Sequence, residues 1–257
     1  MFLIIGAGGV GQAIARRLHE VGEAVGLLHR PYQKVDLPVA CWGDTEAIPW
    51  EAVSTVFLCT KDSQIAPTAA EIAPRLPAHA LMIHTAGSVP LSILTEQIGG
   101  RAGVIYPLQS FVPGEKVQWG SFPAFWEGHP ETERLAHRLT GDPTQVHFAD
   151  SETRLRLHIG AVFTANFLNA LFHIAERLVH PLSDRRIYLP LVKTILQRLH
   201  HLPPHITQTG PARRGDFSTI QKHLALLEDY YPDLAPIYKL LTAYIQAHIS
   251  VQQDKQP

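Results

Sequence analysis

Sulfur is scarce in this chain of 257 residues, which has two cysteines, Cys41 and Cys59, and two methionines. The cysteines form neither a Cys-x-x-Cys pair nor a metal spacing, which argues against a disulfide scaffold and a structural metal site. Cys59 ends an apolar run, and that predicts a buried free thiol. Charge is sparse as well, at 18 % of residues, and nearly balanced at a net −1. The basic face that a nucleic-acid partner requires is therefore missing. No apolar run reaches the ~18 residues of a membrane span, and the apolar N-terminus lacks the basic segment of a secretory signal. Together these absences predict a cytoplasmic protein without nucleic-acid or membrane partners. Histidine is abundant by contrast, with 15 residues. His200, His201 and His205 cluster near Pro203-Pro204 without a His-Glu-x-x-His pattern, which reads as polar loop, and no metal is expected.

What the chain does contain is 46 % hydrophobic residues, ample for real cores, over a length that suits two domains. Its opening is the most informative stretch. Phe2-Leu3-Ile4-Ile5 reads as a buried parallel strand, followed by Gly6-Ala7-Gly8-Gly9-Val10-Gly11, a G-x-G-x-x-G. Val10, Ile14, Ala15 and Leu18 then recur at helical spacing. In that context Gly6 makes the tight turn, Gly8 admits a pyrophosphate to the backbone, and Gly11 lets helix and strand pack closely. The free N–H groups of the helix start would hold the negative charge.

A second strand over 23–29 is followed by Arg30-Pro31. An NAD-preferring site places a carboxylate about 20 residues beyond the glycine motif; none lies there, and Asp36 is the first afterwards. Arg30 and Lys34 occupy that neighbourhood instead, which suits a 2′-phosphate and predicts NADP(H). Further strands are expected at 38–41, 53–59, 80–84, 103–106, 124–126 and 146–148. Helical patterns fall between them at 64–75, 91–98 and 131–139, with Asp62 a candidate cap for the first. Alternating strands and helices make a doubly wound, Rossmann-type parallel α/β sheet over residues 1–150. Ligands of such sheets lie beyond the carboxyl ends of the strands, which singles out Thr60, His84, Thr85, Tyr106 and Pro107.

After Asp150 the strand signals stop, and residues 151–257 read as a helical domain. Ser151-Glu152-Thr153 begins a helix expected to run past Leu178. At ~100° per residue, Arg154, His158, Asn166, Asn169, His173, Glu176 and Arg177 share a sector of roughly 140°. The other positions are mostly apolar, so the helix is expected to be buried, with the polar stripe meeting either solvent or the nicotinamide. Helices are also expected at 189–200, 216–229 and 233–250, with Asp216 as an N-cap. Arg213 and Arg214 are candidates for a substrate carboxylate or a cofactor phosphate, with surface ion pairing as the alternative.

These segments resemble a family of NADP oxidoreductases in which a Rossmann-like domain precedes a helical region, domain of unknown function 2520. The resemblance spans nearly the whole chain. It rests on Gly6-Ala7-Gly8-Gly9-Val10-Gly11, His84-Thr85-Ala86-Gly87, Tyr106-Pro107-Leu108-Gln109-Ser110-Phe111, Leu157-His158 through Asn166, and Thr209-Gly210-Pro211-Ala212-Arg213-Arg214-Gly215-Asp216. The family usually has Ser at the position of Ala86 and His at that of Tyr106. Through distant similarity to ketopantoate reductases, pyrroline-carboxylate reductases and hydroxyacid dehydrogenases, it implies an all-α C-terminal domain of the 6-phosphogluconate-dehydrogenase-like type. That domain is often a homodimer surface, with catalytic polar groups on its first long helix, where His158 and Asn166 sit. The reading is an NADPH-dependent reductase of a small carbonyl or imine, a 2-oxo acid such as ketopantoate first. His158 would be the general acid and Asn166 would hold the substrate oxygen. Arg213, Arg214 and His84 would bind the substrate. Gly6, Ala7, Gly8, Gly9, Val10, Gly11, His29, Arg30, Lys34, Thr60 and Thr85 would bind the cofactor. The alternative is a non-catalytic NADP(H) sensor or scaffold.

Overall fold

A computed structural model describes residues 1–29, 35–181 and 184–249. The chain divides into two compact units, Met1–Phe167 and Leu168–Pro257. In the first, eight strands form one sheet in the order β3-β2-β1-β4-β5-β6-β7-β8. They are β1 (Phe2–Ile5), β2 (Val25–Leu28), β3 (Ala40–Trp42), β4 (Thr55–Leu58), β5 (Leu81–His84), β6 (Ala102–Pro107), β7 (Ala124–Gly128) and β8 (Val146–Phe148). All neighbours pair in parallel except β6 with β7. The expected all-parallel sheet is broken there for a physical reason. A parallel neighbour needs a crossover, usually a helix, and the link 108–123 contains none.

Helices cover both faces, α1 (Gly9–Glu20) and α4 (Pro130–Thr140) on one, α2 (Asp62–Ile72) and α3 (Ser92–Ile98) on the other. Because side chains alternate along a strand, the four buried residues of β1 serve both layers. Phe2 and Ile4 pack with Ile14, Leu18, Leu135 and Leu139, while Leu3 and Ile5 pack with Ile65, Ile72 and Leu94. At ~1.5–3 kcal/mol for each fully buried large aliphatic, this two-sided core explains why a continuous apolar run, rather than an alternating one, marks β1 in the sequence.

The helix after β8 is continuous from Ser151 to Val179. It comprises α5 (Ser151–Ala161), a π-helical turn (Val162–Asn166) and α6 (Phe167–Val179). Its N-cap is Asp150, whose carboxylate accepts from the Thr153 N–H at 2.8 Å. Ser151 is thereby freed for another task. Its hydroxyl accepts from the Leu91 N–H at 3.1 Å and donates to Glu127. Arg154, 1 % exposed, completes the cluster by pairing with Glu127 and donating to the Val89 carbonyl at 2.6 Å. The first turns of the helix are thus tied to β7 and to the loop that follows β5.

Further along, the expectation of a buried helix fails. No residue of α6 is buried, and Phe163, Phe167, Leu168 and Leu171 are exposed. Length and composition alone would let this helix cross a membrane, contrary to the run-length reading of the sequence. The apolar flanks are present as read; Ile174 packs on the core of the second unit, and Phe163, Phe167, Leu168 and Leu171 stay exposed among the described residues.

The second unit continues with α7 (Leu189–Leu199), α8 (Pro204–Thr207), α9 (Pro211–Arg214), α10 (Phe217–Tyr230) and α11 (Ala235–His248). Its core is small: Leu227, Leu234 and Ala235 with Ile174, Tyr231 and Tyr238 around them. Asp216 caps α10 as expected, accepting from the Thr219 N–H at 3.1 Å.

Candidate functional site

Strand order reverses between β2-β1 and β4, and a cavity of about 600 Å³ opens at the carboxyl ends of these strands. This is where doubly wound sheets bind ligands. Its floor is the glycine turn. Gly6 has a positive φ of 107°, and a Cβ there would stand 2.6 Å from the Cys59 carbonyl oxygen. A Cβ on Gly11 would collide with the Gly6 carbonyl, whereas nothing lies within 4 Å of that position on Gly8. The backbone is open at the one glycine where a phosphate must approach and closed at the others. No side chain caps the N-terminus of α1, and its first turn carries no acidic residue. The amides there remain available to an anion.

Gly6, Ala7, Gly8, His29 and Thr60 line the cavity. The Thr60 hydroxyl is buried without a hydrogen-bond partner, an arrangement that a ligand in the cavity would relieve. Gly9, Val10 and Gly11 form the helix start behind the turn, and the Phe111 backbone covers Gly9. Arg30 and Lys34 lie outside the described residues. Thr85 does not line the cavity; its hydroxyl bonds the Cys59 thiol, whose pKa burial pushes up to about 12. Asp62, expected as a cap, is the first residue of α2 and accepts from the Ser88 hydroxyl.

The cavity also contains residues that the sequence reading passed over: Asp44, Lys61, Gln64, Thr68 and Glu71. Gln64, Thr68 and Glu71 were findable, since spacings of four and three put them on one face of α2. Asp44 was not, because it reaches the cavity only through the pairing of β3 with β2.

A second group gathers on the same sheet edge, at the ends of β5 and β6. The Tyr106 hydroxyl lies 3.0 Å from His158 Nδ1, and the two rings meet edge to face. The imidazole rests on Gly87, where a Cβ would stand 2.7 Å from its Cβ and Cγ. Burial raises the Tyr106 pKa. His84, 0 % exposed, does not line the cavity; its Nδ1 accepts the Ala86 N–H at 3.2 Å. Burial first, then the charge of Arg154, lowers its pKa to about 3, with the Pro90 backbone acting weakly the other way. Neutral His84 therefore fixes the turn that carries Gly87.

Asn166 is exposed, at the end of the π turn. That turn changes its azimuth. Eight residues at ~100° would leave it ~80° away from His158, but one inserted residue reduces the spacing to the angular equivalent of seven, within ~20° of two full turns. His158 and Asn166 thus share a helix face. In the second unit, Arg213 Nη1 donates to the carbonyls of His205, Ile206 and Gln208 at 3.1, 3.0 and 2.6 Å. Its guanidinium is committed to the fold. Arg214 is exposed.

Comparison with known proteins bears on this geometry. Residues 122–245 match the family model described as Domain of unknown function (DUF2520). The chain is 31 % identical to a "putative NADP oxidoreductase BF3122" of Bacteroides fragilis, covering 95 % of this chain and 97 % of that one, with a TM-score of 0.86. The chain belongs to this family of NADP oxidoreductases. More distant solved structures share the fold. Protein TM1727 of Thermotoga maritima is 16 % identical, covering 99 % of this chain and 100 % of that one, with a TM-score of 0.67. A reductive aminase of Aspergillus terreus, solved with NADPH and ethyl levulinate, is also 16 % identical, covering 97 % of this chain and 94 % of that one, with a TM-score of 0.65. Comparison with curated proteins finds no match.

Proposed function

We propose that this protein is an NADPH-dependent reductase that transfers hydride to a small carbonyl or imine, a 2-oxo acid of the ketopantoate type first. The observation that carries the reading is the shared sheet edge: an open phosphate turn at β1 and a partly exposed imidazole at the ends of β5 and β6. The A. terreus relative, solved with NADPH and a keto ester, supports the same class. The amides of the α1 start and the Thr60 hydroxyl would hold the diphosphate and ribose, while Arg30 and Lys34 would meet the 2′-phosphate. When bound, NADPH supplies the hydride. His158 supplies the proton and the Asn166 amide orients the substrate oxygen or nitrogen. Of the two arginines, Arg214 is the one whose guanidinium stays exposed for a substrate carboxylate. His84 acts through the turn it braces. Two copies would pair through the helical unit, whose exposed Leu240, Leu241 and Tyr244 need cover.

The test is NADPH affinity and turnover with a panel of 2-oxo acids and cyclic imines. Expected are NADPH binding tighter than NADH, weakened by Arg30→Ala, and turnover lost in His158→Ala and Asn166→Ala with NADPH affinity kept. Binding without turnover on the whole panel would favour a sensor, and equal affinity for both nucleotides would end the NADP(H) preference.

A further inference from the structure

We propose that Tyr106 is a positioning residue, which holds the His158 ring by Nδ1 and thereby presents Nε2 to the reacting atoms. The inference rests on the reductase reading for its chemistry but on geometry for its substance. His158 is gripped on two sides. The Tyr106 hydroxyl stands 3.0 Å from Nδ1, and Gly87 leaves space for the ring that any side chain would take away. Tyr106 is buried at the end of β6, in the middle of the sheet, so the hydroxyl has a fixed origin. Among the described residues no carboxylate bonds the imidazole, and the partner is a group that can both donate and accept.

That choice has a chemical consequence. A carboxylate at Nδ1 would accept only and would favour the charged ring throughout. A phenol donates to Nδ1 when the ring is neutral with its proton on Nε2, and accepts from Nδ1–H once the ring is protonated. In the reduction, hydride adds to the carbonyl or imine carbon and the π pair takes the proton from Nε2–H of the imidazolium. The ring is left neutral with its remaining proton on Nδ1, which the Tyr106 oxygen accepts. Solvent then restores the Nε2 proton. At each stage the buried phenol keeps a partner, so none leaves an orphaned polar group. A histidine at position 106 could serve the same two-way role.

The experiment pairs ring-nitrogen NMR with kinetics. In protein labelled with 15N-histidine, with the His158 signal assigned by its loss in His158→Asn, Nδ1 should show the hydrogen bond to Tyr106, as acceptor in the neutral ring and as donor in the imidazolium. Tyr106→Phe should abolish the Nδ1 hydrogen-bond signature, leave NADPH affinity within about twofold, and lower kcat roughly 10- to 100-fold with KM little changed. Tyr106→His should recover most of that loss, which a purely structural defect would not allow. An unchanged His158 signal in Tyr106→Phe overturns the inference, as does an undiminished kcat. The NMR arm needs no turnover. A wild-type protein that reduces nothing but loses the signature on Tyr106→Phe would sink the reductase reading while leaving the positioning intact.

Discussion

The two units differ in what their apolar residues meet. In the sheet unit, Leu3, Ile4, Ile14, Leu18, Phe57, Leu58 and Met82 are completely covered, with helices on both faces. In the helical unit, α6 and α7 bury nothing fully, and Leu191, Leu196, Leu240 and Tyr244 are more than half exposed. Exposed apolar side chains occur in the first unit too, Phe148 and Phe163 among them, but there they lie outside two large cores, whereas the second unit has only a small core of its own.

The sharpest probe of this contrast is the cluster that anchors the long helix to the sheet unit. Arg154→Ala leaves Glu127 largely buried and unpaired, and should cost about 3–5 kcal/mol of stability. Chemical denaturation would measure it. Arg154→Met combined with Glu127→Leu should recover most of the loss, since the pair gives little net stability over apolar replacements. A loss below about 1 kcal/mol would mean that the helix is held mainly by the rest of its packing.

Smaller, and aimed at the other unit, is the effect of charge on the exposed helices. Leu240→Glu with Tyr244→Glu should weaken self-association by about 2 kcal/mol or more, roughly 30-fold, in sedimentation equilibrium. Val112→Glu on the sheet unit, at a residue that is also exposed, should change nothing. Association unaltered by both would return the apolar helical face to the category of unexplained surface.

Most of the sheet unit was legible in the sequence, because two-sided burial writes continuous apolar runs bounded by glycine, and such runs are local. In the glycine turn, the tight turn at Gly6 and the close packing at Gly11 were legible. The antiparallel β7 was not, since its direction follows from what the link 108–123 lacks. The long helix was read correctly in extent and wrongly in burial: periodicity reports that a face is apolar, not which surface covers it. The polar stripe contained His158, but also Arg154, whose charge is spent on Glu127. Only three-dimensional placement separates an arginine used by the fold from a histidine left at the strand ends. Arg213 and Arg214, adjacent in sequence, divide in the same way.

A pH dependence is expected in the sheet unit as well. His84 is neutral in the fold, with its pKa lowered from 6.5 to about 3 mainly by burial. Between these values the unfolded chain binds a proton that the folded chain refuses, so stability falls as pH drops through the window. The slope is at most about 1.4 kcal/mol per pH unit. Above about 6.5 this histidine contributes no slope, nor does it below about 3. His84→Asn should flatten the stability profile between pH 6 and 4, unless carboxylates dominate it.

The smallest effect separates the units most cleanly. Asp150 and Asp216 make the same N-cap, each accepting from the N–H three residues on, at 2.8 and 3.1 Å. Replacing either by Ala should cost about 1 kcal/mol. Asp150 caps a helix start already tied down by Ser151 and Arg154, so its loss should be the same at every protein concentration. Asp216 caps α10, in the unit whose apolar helices need cover. If two copies supply that cover, part of the stability of α10 comes from association. The Tm deficit of Asp216→Ala should then widen as the protein is diluted below its dimer dissociation constant, while that of Asp150→Ala stays fixed. Parallel deficits at all concentrations would mean that the helical unit stands alone after all.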